Sequence, residues 1–155
     1  MLKISLFLHI MAAIFWIGGM LFLTLVVAPF LRTFGDESKR REIYQIVGKK
    51  YRFFGWIAIL ILLVTGPINL YYLGVTPAML FDPSFHSTPY GRAVLLKISF
   101  VALIVITSLV HDFYLGPKAR SGGGYSWIAM IFGRGNLIIA LIIAALAVFI
   151  RTGGI

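Results

Sequence analysis

The chain has 155 residues, of which 60% are hydrophobic and only 12% are charged, and its formal net charge is +9. Ordinary soluble domains are about 45–50% apolar and about 25% charged, so this composition excludes a typical soluble protein and indicates a single integral membrane domain. The positive charge does not indicate nucleic-acid binding, because seven of the fourteen basic residues lie between Arg32 and Arg52, as in a cytoplasmic loop.

The first predicted membrane span covers residues 3–31. This apolar run is long enough for a hydrocarbon core of about 30 Å and too long for the apolar region of a signal peptide. On a helix, His9, Trp16 and Met20 fall on one stripe. The glycine pair at residues 18–19 allows a neighbouring helix to approach closely.

Residues 33–52 form a polar connection that predicts a cytoplasmic loop touching lipid headgroups. Asp36 or Ser38 is the expected N-cap of a short helix in this loop. That helix is expected to run through Ile46 and to end at Gly48.

The second predicted span covers residues 53–73. The Thr-Gly-Pro run at residues 65–67 predicts a kink. Asn69 follows near the outer end of the span, and Tyr71 and Tyr72 are typical of an interfacial aromatic belt.

Two further spans are predicted at residues 91–114 and 127–150, after a proline-containing loop at residues 74–89. The third span carries Lys97 and His111 on one helical stripe. Ionisable groups inside a span usually face a bundle interior or a wet cavity, so this stripe is expected to face inward.

Loop charge predicts the topology. The first and third loops carry basic residues and the second carries none, which places both termini outside and the protein in the cytoplasmic (inner) membrane. The predicted fold is therefore an all-α, four-helix, up-and-down membrane bundle.

With this topology, His9 and Lys97 lie at the same depth, about 9 Å along their helices from the outer end. Asn69 and Arg92 can reach this level, and Trp16 follows on the His9 stripe. These five residues form the first candidate site, in which imidazole, ammonium, amide and guanidinium groups are expected to converge.

A second polar site is possible at the inner end of the third span, with His111, Asp112 and Arg52. His111 is roughly 20 Å from His9 in depth. Since bonds from nitrogen to a metal are about 2 Å long, the two histidines cannot bind one ion.

The chain contains no Walker, Rossmann, HExxH or CxxC motif and no cysteine. Disulfides, thiolate ligands and cysteine nucleophiles are thereby excluded. The sequence names no catalytic residue, and whether the protein is an enzyme stays open.

Three stretches, LHIMAAIFWIGGMLF, VTGPINLYYL and YGRAVLLKISFVALIVITSLVHDFYLGPKA, give the chain a family likeness. The sequence resembles the CopD-like membrane domain associated with copper resistance, and this resemblance implies copper handling at the inner membrane. His9 and Met20 are then the candidate metal ligands.

A more distant likeness links the chain to HemJ-type protoporphyrinogen oxidases, which also carry an early His, a Trp-x-Gly-Gly-like turn and a later Lys. This likeness implies haem b at His9 and Lys97. A third hypothesis is an accessory subunit that binds membrane-protein partners or a second copy of itself in the lipid bilayer.

Overall fold

The computed structural model describes residues 1–120 and 125–152, and the regular structure of these residues is entirely helical. Four of the described helical stretches are long and apolar enough to cross a membrane: Leu2–Arg32, Glu37–Tyr72, Pro89–Lys118 and Met130–Arg151. The predicted all-α membrane fold with four spanning helices is confirmed.

The chain divides into two compact units, unit 1 at Met1–Gly74 and unit 2 at Val75–Ile155. Unit 1 contains α1 (Leu2–Phe22), a π-helical turn (Leu23–Val27), α2 (Ala28–Arg32) and α3 (Glu37–Tyr72). Unit 2 contains a 3₁₀ helix (Pro77–Phe81), α4 (Pro83–Ser87), α5 (Pro89–Leu109), a π-helical segment (Val110–Leu115), α6 (Gly116–Arg120) and α7 (Tyr125–Arg151).

In unit 1, α1 packs along α3, and small residues allow the two helices to approach closely. A Cβ atom at Gly19 would overlap the Tyr51 ring, and one at Gly55 would lie 3.7 Å from Cδ1 of Trp16. The Tyr51 hydroxyl also donates a hydrogen bond of 2.5 Å to the Trp16 carbonyl. These contacts fix the register of α1 against α3.

α3 begins where the sequence predicts a helix, because the Asp36 carboxylate accepts hydrogen bonds from the backbone N–H groups of Ser38 and Lys39. The predicted end at Gly48 is wrong, since α3 continues without interruption to Tyr72. A glycine inside a helix costs only about 1 kcal/mol relative to alanine. That cost is small against the hydrogen bonds of the continuing helix, so the polar connection and the second span form one continuous helix, which contains Pro67.

α3 ends at a backbone conformation that only glycine adopts readily. Gly74 has a φ of 86°, in the left-handed region, directly after the C-cap Leu73. The chain then enters the loop that precedes α5.

In unit 2, α5 packs along α7, with Ala93 and Ala140 fully buried. The Thr88 hydroxyl caps α5 by accepting a hydrogen bond of 2.9 Å from the Gly91 N–H. A Cβ at Gly91 would overlap the carbonyl of Phe85, so this position needs glycine for lack of space. The loop and the start of α5 are therefore tightly joined.

Candidate functional site

The most informative polar contact of unit 1 joins α1 to α3. Nδ1 of His9 lies 2.8 Å from Oγ1 of Thr65, and the Thr65 hydroxyl donates a hydrogen bond of 2.6 Å to the carbonyl of Ile61. A hydroxyl has a single hydrogen to donate, and here the Ile61 carbonyl accepts it. Thr65 therefore accepts from Nδ1 of His9, and in the neutral imidazole the lone pair is then on Nε2.

The hydrogen bond to Thr65 is of a kind that orients histidine rings. Ligating histidines commonly donate their second ring N–H to an oxygen, and that hydrogen bond fixes the tautomer and the ring orientation. Thr65 is buried and His9 is half-buried, so the bond lies inside unit 1. Gly66 lies beside the ring, since a Cβ there would be in ordinary van der Waals contact with Cε1 of His9, at 3.7 Å.

Two further polar side chains extend the site, each one helical turn from the pair. Ser5 precedes His9 by four residues on α1, and Asn69 follows Thr65 by four residues on α3. Residues four apart share a helix face. We call Ser5, His9, Thr65 and Asn69 the polar track.

Sequence reasoning identified His9 and Asn69 but missed Ser5 and Thr65 as site residues. The four-residue spacing of a hydroxyl with a larger polar residue, repeated in the first and second spans, is the signal that could have found them.

An apolar groove of about 270 Å³ borders the polar track. Thr65 shares its lining with four aliphatic residues, Leu8, Leu60, Ile61 and Val64. The groove is smaller than the roughly 300–1,000 Å³ of pockets that enclose drug-sized ligands.

Unit 2 holds a second group of polar side chains, which we call the α5–α7 cluster: Ser108, His111, Asp112 and Asn136. Nδ2 of Asn136 donates a hydrogen bond of 3.2 Å to the buried Ser108 hydroxyl. Nδ1 of His111 lies 2.8 Å from a carboxylate oxygen of Asp112. The sequence predicts the pairing of His111 with Asp112 but not the contribution of Asn136.

His111 lies in a π-helical segment, where the wider backbone turn changes the direction of the side chains. Its ring faces α7, because a Cβ at Gly133 would lie 3.6 Å from Nε2 of His111. Arg52, the third predicted member of this site, is a half-buried residue of α3 in unit 1. Its association with His111 stays a prediction.

The remaining residues of the first predicted site fall in both units. Lys97 is half-buried on α5, and Arg92 is exposed and donates a hydrogen bond of 3.3 Å to the Ser87 carbonyl. Trp16 lies on α1, where its carbonyl accepts from Tyr51. The convergence of Lys97 and Arg92 with His9 stays a prediction.

The described residues include no group of three or more His, Cys, Asp or Glu side chains that could hold a metal ion. Met20 lies eleven residues after His9 on α1, about 16 Å along the helix, so the two cannot bind the same ion.

Comparison with known proteins identifies the family of the chain. The family described as "Copper resistance protein D" matches residues 46–151. A relative from Aquifex aeolicus (strain VF5), described as an uncharacterized protein, is 37% identical over 155 residues, which cover 99% of this chain and 97% of the relative. No solved structure matches the chain. The match over residues 46–151 shows that the chain belongs to the CopD (copper resistance protein D) family.

Proposed function

We propose that this protein binds copper as a transported or transferred substrate in the inner membrane, with His9 as the residue that receives the ion. Family membership supports copper as the cargo. The observation that carries the assignment to His9 is its hydrogen bond to Thr65, which directs the imidazole lone pair to Nε2.

The chemistry of the site is consistent with passing an ion onward. Imidazole is a good copper ligand, and a neutral imidazole needs no deprotonation before it binds. A single protein ligand holds an ion weakly compared with three or four, which permits rapid exchange. The remaining ligands would come from the donor of the ion or from water.

The proposed topology gives the site an entry side. With both termini outside, His9 lies on the outer side of the membrane, about 10 Å from the beginning of α1. Copper from the periplasm would then meet the polar track near the outer end of unit 1.

Titration of the purified full-length protein with Cu(I) against a competing chelator tests the proposal. We expect His9→Ala to weaken binding by more than tenfold, because loss of an outer-shell partner alone costs about 10–100-fold. His111→Ala is the matched control and should bind as the unaltered protein does, and Met20→Ala should have a smaller effect than His9→Ala. Equal affinities for His9→Ala and His111→Ala would refute the role of His9.

Haem b is the second candidate, because an imidazole with its lone pair on Nε2 also suits axial ligation of haem iron. His9 would hold the iron, and Lys97 or Arg92 would bind the propionates. Family membership favours copper over haem. A Soret band that disappears in His9→Ala would reverse that preference, and the absence of both copper and haem binding would favour an accessory subunit.

A further inference from the structure

The outermost part of the polar track contains polar atoms that are buried without a protein partner. Oγ of Ser5 and both amide atoms of Asn69 have no hydrogen-bond partner in the part of the chain that the structure describes. Each of these two residues is only 9% exposed. A buried polar group left unsatisfied costs about 1–3 kcal/mol in proteins. Three such atoms, one on α1 and two on α3, therefore indicate a bound polar molecule.

The geometry of unit 1 places these atoms at the same level. The hydrogen bond between His9 and Thr65 pairs these two residues across antiparallel helices. Ser5 lies one turn before His9 on α1, and Asn69 lies one turn after Thr65 on α3. Both are therefore displaced by about 6 Å in the same direction, toward the end of the unit that holds the N-terminus.

The chemistry of the unsatisfied atoms selects the ligand. The Asn69 amide requires an acceptor for its NH₂ group and a donor for its oxygen, and the Ser5 hydroxyl can do either. A bare cation would satisfy the oxygens but would face the NH₂ group, and an anion would have the converse problem. Water donates and accepts in equal measure, and buried water commonly makes about three such bonds.

We propose that Ser5 and Asn69 bind ordered water and form a hydrated passage from the N-terminal end of unit 1 to His9. The passage would let a small hydrated solute reach the imidazole without crossing hydrocarbon. The proposed passage depends on the unsatisfied polar atoms of Ser5 and Asn69 and not on the identity of the transported ion. Failure of copper binding at His9 would therefore leave the passage intact, and absence of the passage would leave copper binding possible.

The lack of native cysteine makes the passage directly testable by cysteine substitution in the full-length protein in liposomes. Ser5→Cys and Asn69→Cys place a thiol in the passage. Phe7→Cys and Ile68→Cys are matched controls at nearly the same depth, because these side chains are 62% and 40% exposed on the apolar outside of the helices. A charged, water-soluble thiosulfonate reagent, supplied on both sides of the membrane, reports hydration because it reacts with the thiolate.

We expect Ser5→Cys and Asn69→Cys to react at least about tenfold faster than the controls. Apolar surroundings raise the pKa of a control thiol, and each unit by which that pKa rises lowers the reactive thiolate fraction about tenfold. Thermal unfolding of each variant in detergent verifies that the fold is retained. A Ser5→Cys variant with unaltered thermal stability and the reactivity of Phe7→Cys would overturn the proposal, even if Asn69→Cys failed to fold.

Discussion

Replacement of Thr65 by valine is the sharpest test of how unit 1 prepares His9. Valine keeps the β-branched shape and removes the hydroxyl, so the variant loses the hydrogen bond to Nδ1 of His9 and the bond to the Ile61 carbonyl. The imidazole then lacks the hydrogen bond that orients its Nδ1. We expect weaker Cu(I) binding with little loss of stability.

The expected loss of Cu(I) affinity is larger than the expected loss of stability. Side-chain hydrogen bonds between membrane helices contribute about 0.6 kcal/mol on average and at most about 1.7 kcal/mol to stability. Loss of an outer-shell partner typically lowers metal affinity by about 10–100-fold, which corresponds to about 1.4–2.7 kcal/mol. Copper affinity should therefore fall by at least tenfold while the unfolding temperature changes by only a few degrees.

Chelator competition and thermal unfolding in detergent measure both effects on the same samples. Thr107→Val is the matched control, since the Thr107 hydroxyl also bonds to carbonyls of its own helix, at 2.9 Å from Leu103 and 3.1 Å from Ile104. Thr65→Ser retains the hydroxyl and should restore binding. If Thr65→Val bound copper as tightly as Thr107→Val, the orientation of His9 by Thr65 would be refuted.

Three further predictions concern packing, pH and topology. Gly19→Ala should lower the unfolding temperature in detergent, because its Cβ would overlap the Tyr51 ring and overpacking typically costs about 1–3 kcal/mol. Gly18→Ala is the control: its Cβ would meet no atom within 4 Å, so the unfolding temperature should not change. Hydrogen bonds from the hydroxyl and the backbone N–H of Ser84 hold the pKa of Asp82 below its usual range. The Asp82 carboxylate therefore stabilises α4 fully at pH values above the ordinary aspartate pKa of about 4. This stabilisation is lost as the pH falls through the lowered pKa. Limited proteolysis of the loop should increase at that acidic pH, and Asp82→Asn should remove the transition; cleavage that is independent of pH in the unaltered protein would contradict this. A C-terminal reporter that is active only in the cytoplasm should give no signal, and strong signal would reverse the proposed topology.

Local features of the sequence were sufficient to predict the class of fold. Four apolar runs of suitable length predict four spanning helices, because the hydrocarbon core requires about 20 apolar residues per helix. Side-chain chemistry predicts Asp36 or Ser38 as a helix cap, and the structure shows that Asp36 is the cap. Gly48 shows the limit of such reasoning, since a weak local preference for ending a helix is overridden by the helix on either side.

The partner of His9 could not be predicted in the same way. Helical periodicity identifies residues that share a face of one helix, but the contact between His9 and Thr65 joins residues 56 positions apart on two helices. Which residues meet depends on the register of α1 against α3. Side-chain packing fixes that register, through Gly19 against Tyr51 and Gly55 against Trp16. The sequence therefore determined that a histidine lies inside a membrane helix, and only the tertiary structure decided that its Nδ1 meets the Thr65 hydroxyl, because that contact depends on the packing of the neighbouring helix.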